Sequence, residues 1–116
     1  MRIHGETMTI KLGTHKAYHG TTTLWGLKKG DLLEERDLEG SINRGAWATI
    51  YLEDAKNYAM DAVYRFGGDP VVLEVECEDC DYQHDNTTWA YSTRRGGEIR
   101  VTGIKRCKID HPFDYK

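Results

Sequence analysis

An α+β domain, with a small two-layer, mostly antiparallel β-sheet core and one or two helices, is what this chain predicts. Three observations lead there. Short runs of alternating apolar and polar residues dominate, and only residues 55–66 sustain helical spacing. The strand-like runs are neither evenly spaced hairpins nor regularly alternated with helices, which argues against a sandwich and against a parallel sheet. With 116 residues, no repeat and no low-complexity tract, residues 1–116 read as a single domain.

The elements follow in order. Met8-Thr-Ile-Lys-Leu12 alternates and reads as a strand that Gly13 ends. Lys16-Ala-Tyr-His19 is a second short strand running into Gly20. Thr22 and Thr23 can cap a short helical segment carrying Leu24, Trp25 and Leu27, closed by Gly30. The charged stretch from Asp31 to Arg44, with Gly40 and Gly45 as breakers, reads as a long surface loop. Ala46 to Leu52 is a strand apolar on both faces. Asp54 then caps a helix over 55–66, whose apolar stripe is Ala55, Tyr58, Ala59, Ala62, Val63 and Phe66 before Gly67-Gly68. Val71 to Glu76 is a strand, and 77–97 reads as a polar loop carrying Trp89 and Tyr91. Glu98-Ile-Arg-Val-Thr102 alternates cleanly, bends at Gly103 and is expected to continue to Ile109.

Composition and charge narrow the function classes. The chain is 39% hydrophobic and 30% charged, with a net charge of -3, which is no general nucleic-acid binder. No segment is apolar and long enough for a signal peptide or a membrane span, so a cytoplasmic, monomeric protein without a membrane partner is expected. The charges are segregated. Residues 74–85 hold six acids and no base, whereas 94–108 hold six bases against Glu98 alone. Three cysteines make an odd set, which argues against a disulfide framework. Cys77-x-x-Cys80 with Cys107 and His111 has zinc-ligand types, with His84 as a rival fourth ligand, but a single tight pair favours no metal.

Four short motifs then fall in a telling order: Tyr18-His-Gly-Thr21, Gly45-Ala-Trp-Ala-Thr-Ile-Tyr51-Leu, a helix carrying Tyr58, and Gly97-Glu98-Ile-Arg-Val. Together they resemble the histidine–tyrosine–glutamate branch of the ADP-ribosyltransferase superfamily, which includes the poly(ADP-ribose) polymerases and diphtheria toxin. Gly30-Asp-Leu-Leu-Glu34 is similar to a stretch of the small rifamycin ADP-ribosyltransferases. The resemblance spans roughly residues 17–104.

That resemblance implies an enzyme that uses NAD as co-substrate, releases nicotinamide and passes ADP-ribose to a nucleic acid, small molecule or protein. A toxin or modification enzyme fits such a size. It implies that His19 holds a hydroxyl of the adenosine ribose and that the Gly20 backbone, beside Thr21, holds the nicotinamide carboxamide. Tyr51 would stack on the nicotinamide ring and Tyr58 would cover its other side. Glu98 would bind the 2′-hydroxyl of the nicotinamide ribose and stabilise an oxocarbenium-like sugar. Rifamycin-type enzymes carry an aspartate instead, which makes Asp79, Asp81 and Asp85 rivals. Trp89, Tyr91, Arg94 and Arg95 precede Glu98 where the superfamily recognises its acceptor. Gly96 stands where arginine-modifying members carry Glu or Gln, which disfavours an arginine acceptor. Two alternatives remain: an RNA 2′-phosphotransferase on the same fold, using Arg94, Arg95 and Arg100, and a non-catalytic module that binds NAD or ADP-ribose.

Overall fold

A computed structural model describes residues 9–34, 46–84, 89–93 and 96–109. The described residues form five strands and one helix: β1 (Thr9–Thr22), β2 (Trp47–Thr49), α1 (Leu52–Phe66), β3 (Pro70–His84), β4 (Trp89–Ser92) and β5 (Glu98–Lys105). Every strand pairing is antiparallel, so the expected α+β class holds at that level.

The pairings β1–β2, β2–β4, β4–β3 and β3–β1 close a ring, and β5 adds to β3 outside it. Closure leaves few bare strand edges. The weakest link is β1–β2, a single pair between Tyr18 and Thr49. The strongest is β1–β3, in register from Thr9–Tyr82 to Thr22–Pro70.

Several expected boundaries change, each for a physical reason. The two short strands before Gly20 are one strand, because the register shift between Lys11 and Thr14 absorbs Gly13 as a bulge. The helical segment at Thr23 is one 3-10 turn, Thr23–Trp25, closed by Gly26 rather than Gly30. Thr22 caps it as expected, accepting the Leu24 amide at 3.2 Å. Residues 30–33 are not free loop: Gly30 and Leu33 amides bond Val101 and Ile99 carbonyls, each at 2.8 Å. They form a strap along β5 that buries Leu33. The strand expected over Ala46–Leu52 is only Trp47–Thr49, and α1 starts at Leu52 with Tyr51, not Asp54, as its N-cap residue.

The largest correction concerns 77–97. Most of it is strand, since β3 runs on to His84 and β4 follows at Trp89. Asp79, at φ 54, explains why the alternation misleads. It inserts one residue, so Cys77 and Cys80 both face the core although three positions separate them. At the other end β5 stops at Lys105 instead of reaching Ile109.

Two apolar clusters hold the sheet. One face buries Ala17, Ala48, Leu73, Val75, Cys77, Ile99 and Val101 in the ring interior. The other packs Val72 and Tyr18 under Ala55 and Ala59 of α1. Ala55, Ala59 and Val63 are fully buried and repeat every four residues, the stripe that the sequence shows. The helix reaches one end of that face only. Lys16, Glu74, Glu78, Glu98 and Arg100, on the same face further along, are exposed.

Candidate functional site

The tightest backbone approach in the fold is at Gly20. A Cβ there would collide with the Ala55 carbonyl oxygen and lie 2.7 Å from the Ala59 amide nitrogen. The glycine is therefore demanded by helix–strand packing, whatever the ligand. The same contact presses the N-terminal turns of α1 onto β1, and so seats Tyr51 beside the His19 end of that strand.

Tyr18 stands opposite Thr49, so His19 and Tyr51 lie one and two residues from the same bridge. His19 is half-buried, and its Nδ1 donates to the Trp47 carbonyl at 2.6 Å. That bond fixes a proton on Nδ1, because a carbonyl only accepts. Tyr51 is 47% exposed, and its amide bonds Thr49 Oγ1 at 3.1 Å, which sharpens the turn from β2 into α1. No described strand pairs with His19 to Thr22 on the β2 side, so a stretch of β1 main chain borders the mouth between these rings. Thr21 is buried opposite Val71. Tyr58 is half-buried, about 10 Å further along α1 than Tyr51.

Glu98 does not join them. It stands opposite Glu78, whereas His19 stands opposite Leu73. Five residues of β3 separate those positions, about 16 Å along the strand. The alternation also turns Glu98 away: Leu73 faces the ring interior, and Glu98, between core-facing Ile99 and Gly97, faces outward. Glu98 is about half exposed and lies 3.5 Å from the Arg100 guanidinium, which also donates to the Gly30 carbonyl at 3.0 Å. Gly97, at φ 82, is required for another local reason: a Cβ would meet the Glu78 and Asp79 carbonyls at 2.5 and 2.6 Å.

The rival acids differ among themselves. Asp79 accepts the Gly13 amide at 2.7 Å and so fastens the bulge. Asp81 is 2% exposed and stands opposite Ser92, which stands opposite Trp47, the residue whose carbonyl holds His19. Two strand spacings, about 10 Å, separate Asp81 from Trp47. Asp85 lies outside the described residues.

Trp89 and Tyr91 are strand residues rather than loop residues, and Tyr91 is buried at 6% exposure. Arg94 and Arg95 lie outside the described residues. Trp89, Tyr82, Tyr91 and His15 form a row of rings: Tyr82–Trp89 at 5.2 Å, Tyr82–Tyr91 at 4.7 Å and His15–Tyr91 at 5.4 Å. Tyr82 and His15 escape the sequence reading. The signal for Tyr82 was present, since antiparallel pairing of 81–84 with 89–92 sets Tyr82 against Tyr91 and His84 against Trp89. Burial raises both tyrosine hydroxyls above their ordinary value, and the Tyr51 hydroxyl adds to the effect at Tyr82.

The zinc set is not assembled. Cys77 and Cys80 share the ring interior, whereas Cys107 packs in the cluster beneath α1. Among the described residues no group of three His, Cys, Asp or Glu could hold a metal ion, and His111 lies outside them. The hydrogen bond from the Cys77 thiol holds Cys80 below its ordinary pKa against the effect of burial, while the same bond and burial push Cys77 far up.

A cleft of about 410 Å³ opens beside the mouth, lined by Lys16, Tyr18, Ile50, Glu74, Glu76 and Thr102. Lys16 is its one cation and stands opposite Glu76, so the cleft favours no pyrophosphate. Among the described residues no helix is long and apolar enough to cross a membrane. Comparisons with family models, with curated proteins and with solved structures find no match.

Proposed function

We propose that this chain binds NAD at the mouth between β1 and the start of α1 and transfers ADP-ribose from it. The observation that carries the reading is the single β1–β2 bridge, which leaves main chain beside both His19 and Tyr51 without a strand partner. A carboxamide needs one donor and one acceptor, and strand main chain carries both. Tyr51 gives the nicotinamide ring a stacking surface, worth about 1 kcal/mol beyond burial. His19, oriented by its Nδ1 bond to Trp47, meets a ribose hydroxyl.

Departure of nicotinamide leaves positive charge on the sugar, and a carboxylate lowers that barrier. Glu98, further along the sheet from His19 than Asp81 is, is less suited to supply it. Asp81 is the acid whose register leads back to His19 through Ser92 and Trp47. We therefore assign the third role to Asp81. A second reading, a module that binds NAD or ADP-ribose without turnover, is favoured by the near-complete burial of Asp81. The phosphotransferase reading loses Arg100, whose guanidinium serves the strap and Glu98 at the opposite end.

Calorimetric titration with NAD, run beside an assay of nicotinamide release, tests these together. Binding with slow release in the absence of acceptor fits the transferase, and binding without release fits the module. No binding sinks both.

A further inference from the structure

Cys77 and Cys80 take no part in the chemistry proposed above, yet the fold holds them as a pair. Both are fully buried in one core cluster, both are free thiols, and the Cys77 thiol hydrogen-bonds Cys80. Backbone geometry explains how they meet. Three positions of a regular strand span about 10 Å, too far for any disulfide. Asp79, at φ 54, is an inserted residue between them, where the β1–β3 register shifts. The two cysteines therefore share a face like neighbours two positions apart, separated by about 6.6 Å. That separation falls inside the Cα span of roughly 4.4–6.8 Å that a disulfide bridges.

Access to the pair comes from the same irregularity. Gly13, Thr14, Glu78, Asp79, Gly96 and Gly97 around it are all exposed. Two irregular stretches of backbone meet there, the β1 shift between Lys11 and Thr14 and the pair Gly96-Gly97 at φ 127 and 82. Exposed, irregular backbone opens at lower cost than the paired centre of a sheet. Cys80 Sγ lies 3.3 Å from the carbonyl of Glu98, the first residue of β5, and 3.6 Å from the Glu78 carbonyl. The bond from Cys77 also holds Cys80 below the ordinary thiol value, which makes Cys80 the sulfur that reacts first. Cys107 packs in the other cluster, beneath α1.

We propose that Cys77 and Cys80 form a redox modification site, which a peroxide closes to a reversible disulfide across the Asp79 bulge. The site does not depend on the NAD reading. In the first step the Cys80 sulfur attacks one oxygen of hydrogen peroxide and the O–O bond breaks. Cys80 becomes a sulfenic acid, and the other oxygen leaves as water with the thiol proton. In the second step the Cys77 sulfur attacks the Cys80 sulfur. The S–S bond forms, the S–O bond breaks, and the hydroxyl leaves with the Cys77 proton as a second water. Two thiols and one peroxide thus give one disulfide and two waters, the sulfurs losing two electrons to the peroxide oxygens. Closure ties together the residues on either side of Asp79 and locks the change of phase in β3. A pair that is reduced at rest and closes under oxidant is the kind of disulfide a reducing compartment allows.

To test this, folded protein is treated with a small excess of hydrogen peroxide, remaining thiols are alkylated in denaturant, and intact and tryptic masses are read. The expected product has lost two hydrogens and takes up one alkyl group, on Cys107, instead of three. The loss maps to the peptide that holds both Cys77 and Cys80, and dithiothreitol restores the two missing thiols. Cys77→Ser should stop at a Cys80 sulfenic acid, trapped by a cyclic diketone. Cys80→Ser should react with peroxide at Cys77 roughly tenfold more slowly or less. Three alkylated thiols after peroxide overturn the proposal. So does a bond through Cys107 or between chains, or oxidation of either thiol past the sulfenic acid in place of the bond. A disulfide that forms only in urea also overturns it, since the pair then meets only in the unfolded chain. These mass readings use the wild type, so the test stands if a core variant fails to fold.

Discussion

The two ends of this sheet carry the same kinds of residue and use them differently. At the β1–β2 end a glycine is fixed by a helix, a single bridge joins the strands, and histidine and tyrosine face an opening. At the β3–β5 end a glycine is fixed by carbonyls, a bulge is fastened by Asp79, and Glu98 pairs with Arg100 in solvent. The first end leaves backbone without a strand partner, while the second is laced by the strap at 30–33. Motif residues therefore say little until the register shows which end they occupy.

Gly20→Ala strikes the first end hardest. Its methyl group has no room against Ala55, so we expect a loss of about 3 kcal/mol and a fall in Tm on the order of 10 °C by thermal denaturation. A shift of only a degree or two would mean that α1 is not seated on β1 as described. Asp81→Asn should lower nicotinamide release by roughly two to three orders of magnitude while NAD affinity changes little. Near-native release would remove Asp81 from the site. Tyr51→Ala should weaken NAD binding by about 1–2 kcal/mol in calorimetry, with the fold intact because the side chain is half exposed.

How much of this could be read from the sequence depends on burial pattern. The helix was legible because Ala55, Ala59 and Val63 repeat with its period. The length of β3 was not, because Glu78, Asp79 and Asp81 beyond Glu76 mimic a solvated loop. Asp79 then shifts the phase by one residue, hiding Cys80 and Tyr82 from any test of alternation. Tyr51 stands in the sequence as the end of an apolar run from Ala46, which conceals that its position is a helix N-cap. The distance of Glu98 from His19 was hidden for a related reason. A strand start is visible in sequence, but the register that sends it to the far end is not.

Alkaline pH offers a milder probe of the ring row. Tyr82 and Tyr91 titrate above the ordinary tyrosine value of 10.0, because burial favours their neutral form. Their contribution is fully present below that value, where folded and unfolded chains are both protonated. It is lost as pH rises from there through the folded-state values. Denaturant titrations should thus show stability declining above about pH 10, with Tyr82→Phe flattening the decline. An equally steep decline in the variant would place the titrating groups elsewhere.

The smallest expected effect is the most direct test. Nicotinamide release from NAD is measured for the wild type, Tyr51→Ala and Glu98→Gln under identical conditions. If the site lies at the β1–β2 mouth, Glu98→Gln releases nicotinamide within about twofold of the wild-type rate, since it removes only a half-exposed pair with Arg100. Tyr51→Ala should fall roughly tenfold at subsaturating NAD. Collapse of release in Glu98→Gln, with Tyr51→Ala near the wild-type rate, would contradict the account and return the chemistry to the other end of the sheet.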